Sequence, residues 1–157
     1  MGLKQNLLNE TVKDLPLREA ITVTEDTLVT AVLDRMSEKH LGCVIVVDAE
    51  GKPLGTFTER AMIDLMVRDT ATWESMPVGK CLEKEWFSVQ LTTPISHVMD
   101  LIREHAVRFV CVMDEAGHAV GLTGQKGLSE YIADHFPRQV MVQRMGGKPG
   151  QETREGA

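Results

Sequence analysis

Short apolar runs alternate along the chain with segments whose apolar residues recur every three or four positions. In the first half, residues 21–24 and Cys43–Val47 are rich in β-branched residues, which indicates two strands. A helix with Thr27 as its N-cap is predicted between them, and its apolar face consists of Leu28, Ala31, Val32 and Met36. A return strand over residues 54–58 precedes a second helix, whose apolar residues are Met62, Leu65 and Met66. The predicted order of elements is β-α-β-β-α.

The second half repeats this order. Residues 87–89 predict a strand, Thr93 is a candidate N-cap, and Pro94 suits the first helical position, where no backbone N–H is needed. The apolar face of this helix consists of Ile95, Val98, Met99 and Ile102. Phe109–Met113 indicates a buried strand, and residues 120–123 indicate its return strand. The last helix is predicted from Leu128, Tyr131 and Ile132.

A gapless offset of 66 positions, which places Val12 on Val78, relates the two halves. Identical residues then recur in the strands, in the helices and in the turns at 48–51 and 114–117, where glycine suits a tight hairpin. One copy is too small for a stable core, so the two copies are expected to pack sheet to sheet. The predicted segments are an N-terminal extension (1–11), repeat 1 (12–69), a connector (70–77), repeat 2 (78–136) and a partly disordered tail (137–157).

Composition narrows the classes of partner. The formal charge of −6 argues against nucleic acid, because phosphate binding needs a dense basic face. No apolar run approaches the length of a membrane helix, and no secretory signal is recognisable, so we expect a cytoplasmic protein without a membrane partner. Cys43, Cys81 and Cys111 form no metal-binding or disulfide pattern. Catalytic motifs are also missing, and an enzyme is not expected.

Two strings carry a family resemblance, CVIVVDAEGKPLGTFTER in the first half and FVCVMDEAGHAVGLTGQK in the second. Each has an apolar strand ending in Asp, a Gly-containing turn, an apolar-Gly-apolar return strand and a helix start. This pattern resembles the CBS domain, named for cystathionine β-synthase. The resemblance implies an α/β (α+β) module of two pseudo-symmetric CBS repeats. Paired CBS domains of this kind commonly bind adenosine nucleotides between the repeats and often form dimers.

The family's ligand motif, Gly-apolar-apolar-Thr-x-x-Asp, implies candidate residues in repeat 1. Thr58, Glu59 and Arg60 match the motif, but Ala61 stands where the ribose-binding Asp is expected. By the same resemblance, the adenine ring would lie against the early strand segments, which gives the candidates Thr22, Val23, Cys43 and Val44. A hydroxyl and the N–H groups of a helix start suit phosphate, so Thr58 and Arg60 predict an anion-binding corner.

Repeat 2 matches the motif less well. Gly124 and Gly127 occupy the Thr and Asp positions, while Lys126 and, just before the buried strand, Arg108 could supply positive charge. These residues could instead be solvated surface charges beside a glycine-rich turn.

Two functional hypotheses follow. The first is a regulatory, sensor-type homodimer that binds AMP, ADP, ATP, S-adenosylmethionine or a related anion between its repeats and requires no cofactor. The second is a protein-interaction or dimerisation scaffold, acting on an unknown protein target, that has lost nucleotide binding. The absence of both motif carboxylates favours the second, and the cationic corners favour the first.

Overall fold

Each half of the chain forms a three-stranded sheet with helices against it, in a computed structural model that describes residues 2–68 and 71–137. The first half contains α1 (Leu3–Asn9), β1 (Thr22–Thr24), α2 (Val29–Lys39), β2 (Cys43–Val47), β3 (Pro53–Thr58) and α3 (Glu59–Arg68). The second contains β4 (Ser88–Gln90), α4 (Ile95–His105), β5 (Phe109–Met113), β6 (Ala119–Gly124) and α5 (Gln125–His135). The predicted β-α-β-β-α order is therefore confirmed in both halves.

The two sheets have the same topology. In the first, β2 lies between β1, to which it is parallel, and β3, to which it is antiparallel; in the second, β5 lies in the same way between β4 and β6. The parallel pairs require a crossover, which α2 and α4 provide. The antiparallel pairs close through the predicted turns, where Gly51 and Gly117 have φ of 82° and 85°. Both sheets thus leave their central strands fully paired.

A buried apolar cluster joins the two sheets face to face. It contains alternate residues of β2 together with residues of β5 and β6, namely Cys43, Ile45, Val47, Cys111 and Leu122. The other face of β2 packs against α2 and α3, because successive side chains of a strand point to opposite faces. The predicted packing of sheet to sheet is confirmed.

Each repeat is completed by the first residue of the other repeat. Val12 is fully buried among Val89, Val98 and the β5 valines, whereas Val78 is fully buried in the core of the first half. Backbone hydrogen bonds fix both segments: Val12 N–H donates to Thr93 O at 2.9 Å, and Val78 N–H donates to Thr27 O at 2.8 Å. The two halves therefore share their cores reciprocally.

The same exchange shows why the predicted helix caps were wrong. Leu28 and Pro94 are the residues before α2 and α4, and both are extended, because isolated β-bridges join Leu28 to Pro77 and Pro94 to Thr11. The helices consequently begin after the positions that Thr27 and Thr93 suggested.

The apolar helix faces also differ in part from the prediction. Leu28, Ala31 and Met66 are exposed, and Val29 joins Val32 and Met36 in the core instead. The predicted tail lies, apart from Pro137, outside the described residues. Within residues 2–68 and 71–137, no helix has the length and apolarity that crossing a membrane requires.

Candidate functional site

Two clefts of similar size lie between the repeats, one at the start of α3 and one at the start of α5. Cleft 1 has a volume of about 560 Å³ and is bounded by the β3–α3 junction, by residues 80–86, and by residues 105–109 at the end of α4. Cleft 2 has a volume of about 550 Å³ and is bounded by the β6–α5 junction, by Pro16 and Arg18, and by residues 40–42 at the end of α2. The 66-residue offset relates these walls, so the clefts are pseudo-symmetric.

One wall of each cleft is the segment that precedes the first strand of a repeat. This segment lies on the return strand of the other repeat. Glu83 N–H donates to Thr56 O at 2.8 Å on β3, and Arg18 N–H donates to Leu122 O at 2.9 Å on β6. Leu82 lies so close to Gly55 that a Cβ at Gly55 would come 2.7 Å from its Cδ1. This close contact holds the segment before β4 against β3 and fixes the wall of cleft 1.

Thr58 ends β3 at the base of cleft 1 and is almost fully buried. Its hydroxyl accepts a hydrogen bond from Ala61 N–H at 3.2 Å, and it donates one to the carboxylate of Glu83. The start of α3 therefore already has a hydroxyl and a carboxylate in place.

Cleft 1 is rich in charge of both signs. Its positive side chains are Arg60, Arg68, Lys80, Lys84 and Arg108. Its acidic side chains are Glu59, Asp64, Glu83 and Glu85. In a chain with a formal charge of −6, the five cations slightly outnumber the four carboxylates of this cleft, so an anionic group can find a positive partner here.

Cleft 2 differs from cleft 1 at the position equivalent to Thr58. Gly124 has φ of 154°, and a Cβ there would lie 2.0 Å from the carbonyl oxygen of Arg108. No larger residue fits this backbone, so the absence of threonine from the motif in repeat 2 has a structural cause. A Cβ at Gly127 would also be close, at 3.1 Å from Thr123 Oγ1 and 3.2 Å from Pro16 O.

Cleft 2 has a threonine hydroxyl at Thr123, one position before Gly124, which is the equivalent of Thr58 in cleft 1. Thr123 lines cleft 2 and is 4% exposed, and its Oγ1 has no hydrogen-bond partner in the described part of the chain. Arg18, which is bridged to the neighbouring Leu122, forms an ion pair with Glu130 on α5. Cleft 2 therefore offers one unpaired hydroxyl, with positive charge at Lys126 and Arg108.

The predicted site residues fall into two groups. Five line the clefts: Thr58, Glu59, Arg60 and Arg108 in cleft 1, and Lys126, again with Glu59 and Arg108, in cleft 2. The other four, Thr22, Val23, Cys43 and Val44, lie outside the lining of both clefts.

The second group lies in and beside the cores. Val23 and Val44 are buried in the core of the first half, and Cys43 lies in the cluster between the sheets. Burial, with smaller contributions from Cys111 and Glu83, raises the pKa of the Cys43 thiol far above its ordinary value. Thr22 is exposed, and its carbonyl accepts a hydrogen bond from Arg35 at 3.4 Å.

Sequence reasoning missed the cleft walls that come from connecting segments, including Lys80, Glu83 and Lys84 in cleft 1 and Pro16 and Arg18 in cleft 2. The repeat offset could have identified them together, because Lys84 corresponds to Arg18 in the segment before each first strand. It also relates His40 to Ala106, which end α2 and α4 in the left-handed conformation with φ of 52° and 53°.

Comparison with known proteins agrees with this architecture. An uncharacterised 17.7 kDa protein of Acidianus ambivalens is 21% identical over 143 residues, which cover 91% of this chain and 82% of that protein. The CBS domain pair of protein MJ0100, solved in complex with 5′-methylthioadenosine and S-adenosyl-L-methionine, is 16% identical with a TM-score of 0.69 and covers 79% of this chain and 96% of that one. The CBS domain protein PAE2072 of Pyrobaculum aerophilum, solved with AMP, is 17% identical with a TM-score of 0.68. That match covers 87% of this chain and 99% of that one.

The CBS domain model matches this sequence twice, at residues 12–68 and 74–134. These ranges coincide with the two β-α-β-β-α units and with the internal repeat. The chain therefore belongs to the CBS domain family, as a tandem pair of CBS domains.

Proposed function

We propose that this CBS pair is a regulatory module, rather than a catalyst, that binds an adenosine nucleotide or a related adenosine ligand in cleft 1. The observation that carries this proposal is the convergence of Thr58, Arg60, Lys84 and Arg108 on one cleft of about 560 Å³, which is within the usual range for small-molecule sites. Its charge and hydroxyl groups suit a ligand with both polar and anionic parts. Three free cysteines fit a reducing, cytoplasmic setting.

Two structural relatives support the choice of adenosine. One was solved with AMP, and the other with 5′-methylthioadenosine and S-adenosyl-L-methionine. Both have the fold of this chain at low sequence identity, so they support the ligand class rather than a particular ligand.

The proposal is tested by thermal unfolding of the purified protein with millimolar AMP, ADP, ATP, adenosine, 5′-methylthioadenosine or S-adenosylmethionine. A ligand that binds only the folded state raises Tm by mass action, and at 100 times Kd the stabilisation is about 2.7 kcal/mol. We expect at least one member of the panel to raise Tm. No change with any of them would contradict adenosine binding.

Matched variants locate the binding in cleft 1. Arg60→Ala removes a positive charge that lines the cleft, whereas Arg103→Ala removes one that pairs with Asp100 and Glu104 on α4, away from both clefts. Arg60→Ala should weaken binding about tenfold or more, since hydrogen bonds to charged groups contribute about 1.5–3 kcal/mol. Equal effects of the two substitutions would place the ligand elsewhere.

A dimerisation scaffold is the second candidate, favoured by the outer face of α3. Ile63, Met66 and Val67 form one stripe on this helix and are 62%, 50% and 79% exposed. A second copy suits this stripe, because antiparallel pairing about a twofold axis would bring the acidic start of each α3, at Glu59, towards the basic end of the other, at Arg68.

Light scattering coupled to gel filtration tests the homodimer. Val67→Glu should shift the protein to monomer, whereas Val120→Glu, at an exposed position on β6, should leave it unchanged. A wild-type protein that is monomeric at all concentrations would contradict the scaffold. A dimer that binds none of the adenosine compounds would favour it over the ligand-binding module.

A further inference from the structure

Glu83 holds a negative charge at the start of α3, in cleft 1. Its backbone N–H donates to Thr56 O at 2.8 Å, and its carboxylate accepts a hydrogen bond from the Thr58 hydroxyl. Two separate contacts therefore fix one residue to the end of β3. The residue comes from the segment before β4, so no motif at the β3–α3 junction reveals it.

The contact commits the only proton of the Thr58 hydroxyl. A threonine hydroxyl has one donor and two acceptor positions. Here the hydroxyl accepts from Ala61 N–H at 3.2 Å and donates to Glu83, so no donor remains for the oxygen of a ligand phosphate. Donation to a phosphate would require the carboxylate to leave.

The charge of Glu83 also disfavours a ligand phosphate at the start of α3. The positive end of a helix dipole stabilises an anion, and the Glu83 carboxylate already lies at this end of α3. A phosphate placed in the same corner would meet a like charge at short range in a partly buried site, where such repulsion is strong. A hydroxyl or an amine could instead donate a hydrogen bond to this carboxylate. A sulfonium group would be attracted by its negative charge.

From these contacts we propose that Glu83 makes cleft 1 selective for adenosine nucleosides whose 5′ group is uncharged or positively charged, over nucleotides with a 5′ phosphate. The inference rests on the proposed adenosine binding and specifies its ligand class. Glu83, from repeat 2, also supplies a carboxylate to a cleft in which Ala61 of repeat 1 replaces the motif Asp. Arg60 and Arg108 remain in the cleft to pair with a more distant carboxylate, such as that of S-adenosylmethionine.

Isothermal titration calorimetry of the full chain tests the selectivity with four probes: adenosine, 5′-methylthioadenosine, S-adenosylmethionine and AMP. We expect the wild-type protein to bind 5′-methylthioadenosine and S-adenosylmethionine at least tenfold more tightly than AMP. Glu83→Gln removes the charge but keeps an oxygen that can accept from Thr58, and it should reduce this preference at least tenfold. Glu104→Gln is the matched control, because Glu104 pairs with Arg103 on α4 and lies outside the lining of both clefts, and it should leave the preference unchanged.

The wild-type comparison remains informative if Glu83→Gln does not fold. Tighter binding of AMP than of the nucleosides by the wild-type protein would overturn the inference while leaving adenosine binding established. A preference that is the same in the wild type and in folded Glu83→Gln would overturn it as well. Failure of all four probes to bind would instead contradict the proposed function on which the inference rests.

Discussion

Tyr131 on α5 donates a hydrogen bond from its phenolic hydroxyl to the carboxylate of Glu10, which follows α1. The tyrosine side chain is fully buried in the cluster that joins α1, α4 and α5. This contact ties the N-terminal extension to the last helix of repeat 2. The extension thus packs with the second half of the fold, although it begins the first half in sequence.

This contact predicts a loss of stability at high pH. Burial, reinforced by the hydrogen bond to Glu10 and by its charge, raises the pKa of Tyr131 from 10 to about 12. The folded state favours the neutral phenol, so its contribution is complete below pH 10 and disappears as pH rises from 10 towards 12. Tyr131→Phe should cost about 1–2 kcal/mol at neutral pH and remove this part of the pH dependence. Urea unfolding from pH 7 to 11.5 measures both effects, and parallel curves for the two proteins would contradict the prediction.

The reciprocal burial of Val12 and Val78 predicts that each substitution destabilises the half that does not contain it in sequence. Val12→Ala and Val78→Ala should each cost about 2 kcal/mol, because both side chains are fully buried. Native-state amide exchange should accelerate mainly in β4–β6 for Val12→Ala and mainly in β1–β3 for Val78→Ala. If exchange accelerated mainly in the half that contains the substituted residue, or equally in both halves, the two cores would not be shared in this way.

The close approach at Gly124 predicts that the threonine of the motif cannot be restored in repeat 2. Gly124→Ala should cost about 3 kcal/mol or more, since its Cβ would be 2.0 Å from Arg108 O and φ is 154°. Gly117→Ala is the control, because its φ of 85° is also strained while no atom lies within 4 Å of the added Cβ, so it should cost about 1–2 kcal/mol. Chemical denaturation compares the two, and similar losses would mean that the backbone at Gly124 relaxes easily.

The unpaired hydroxyl in cleft 2 predicts a stabilising substitution. Thr123→Val replaces a buried hydroxyl without a partner by a methyl group of similar shape and should raise the free energy of unfolding by about 1 kcal/mol. Thr56→Val, at a buried threonine on β3, serves for comparison and should not give the same gain, because Thr56 Oγ1 is not among the unpaired buried atoms of the described chain. A destabilised Thr123→Val would show that its hydroxyl has a partner in solution, such as an ordered water.

The elements and their order could be predicted because strand and helix periodicity is local and was repeated at a fixed offset. Thr58, Glu59 and Arg60 were identified because they match the ligand motif of the CBS family, which lies at a strand–helix junction. The start of each helix was predicted less well, since a bridge to the other repeat holds Leu28 and Pro94 extended.

Glu83 could not be predicted from its neighbours in sequence. The role that we propose for it depends on contact with Thr58, which is 25 residues away, and on the backbone hydrogen bond that brings the two segments together. The same applies to Gly124, where glycine is required by the carbonyl of Arg108, just before β5, rather than by a local turn. Long-range contacts of this type carry no periodic signal.

The exchange of leading segments between the repeats has a consequence for how such a chain can be assembled. Contacts between a leading segment and the other repeat recur 66 residues away in the opposite direction, as the bridge of Thr11 to Pro94 matches that of Pro77 to Leu28. Reciprocity of this kind is the defining property of a twofold interface between identical subunits. A polypeptide of half this length could therefore form the same double core as a two-chain dimer. Joining the halves keeps them at high effective concentration and leaves each free to diverge, as Thr58 and Gly124 have done.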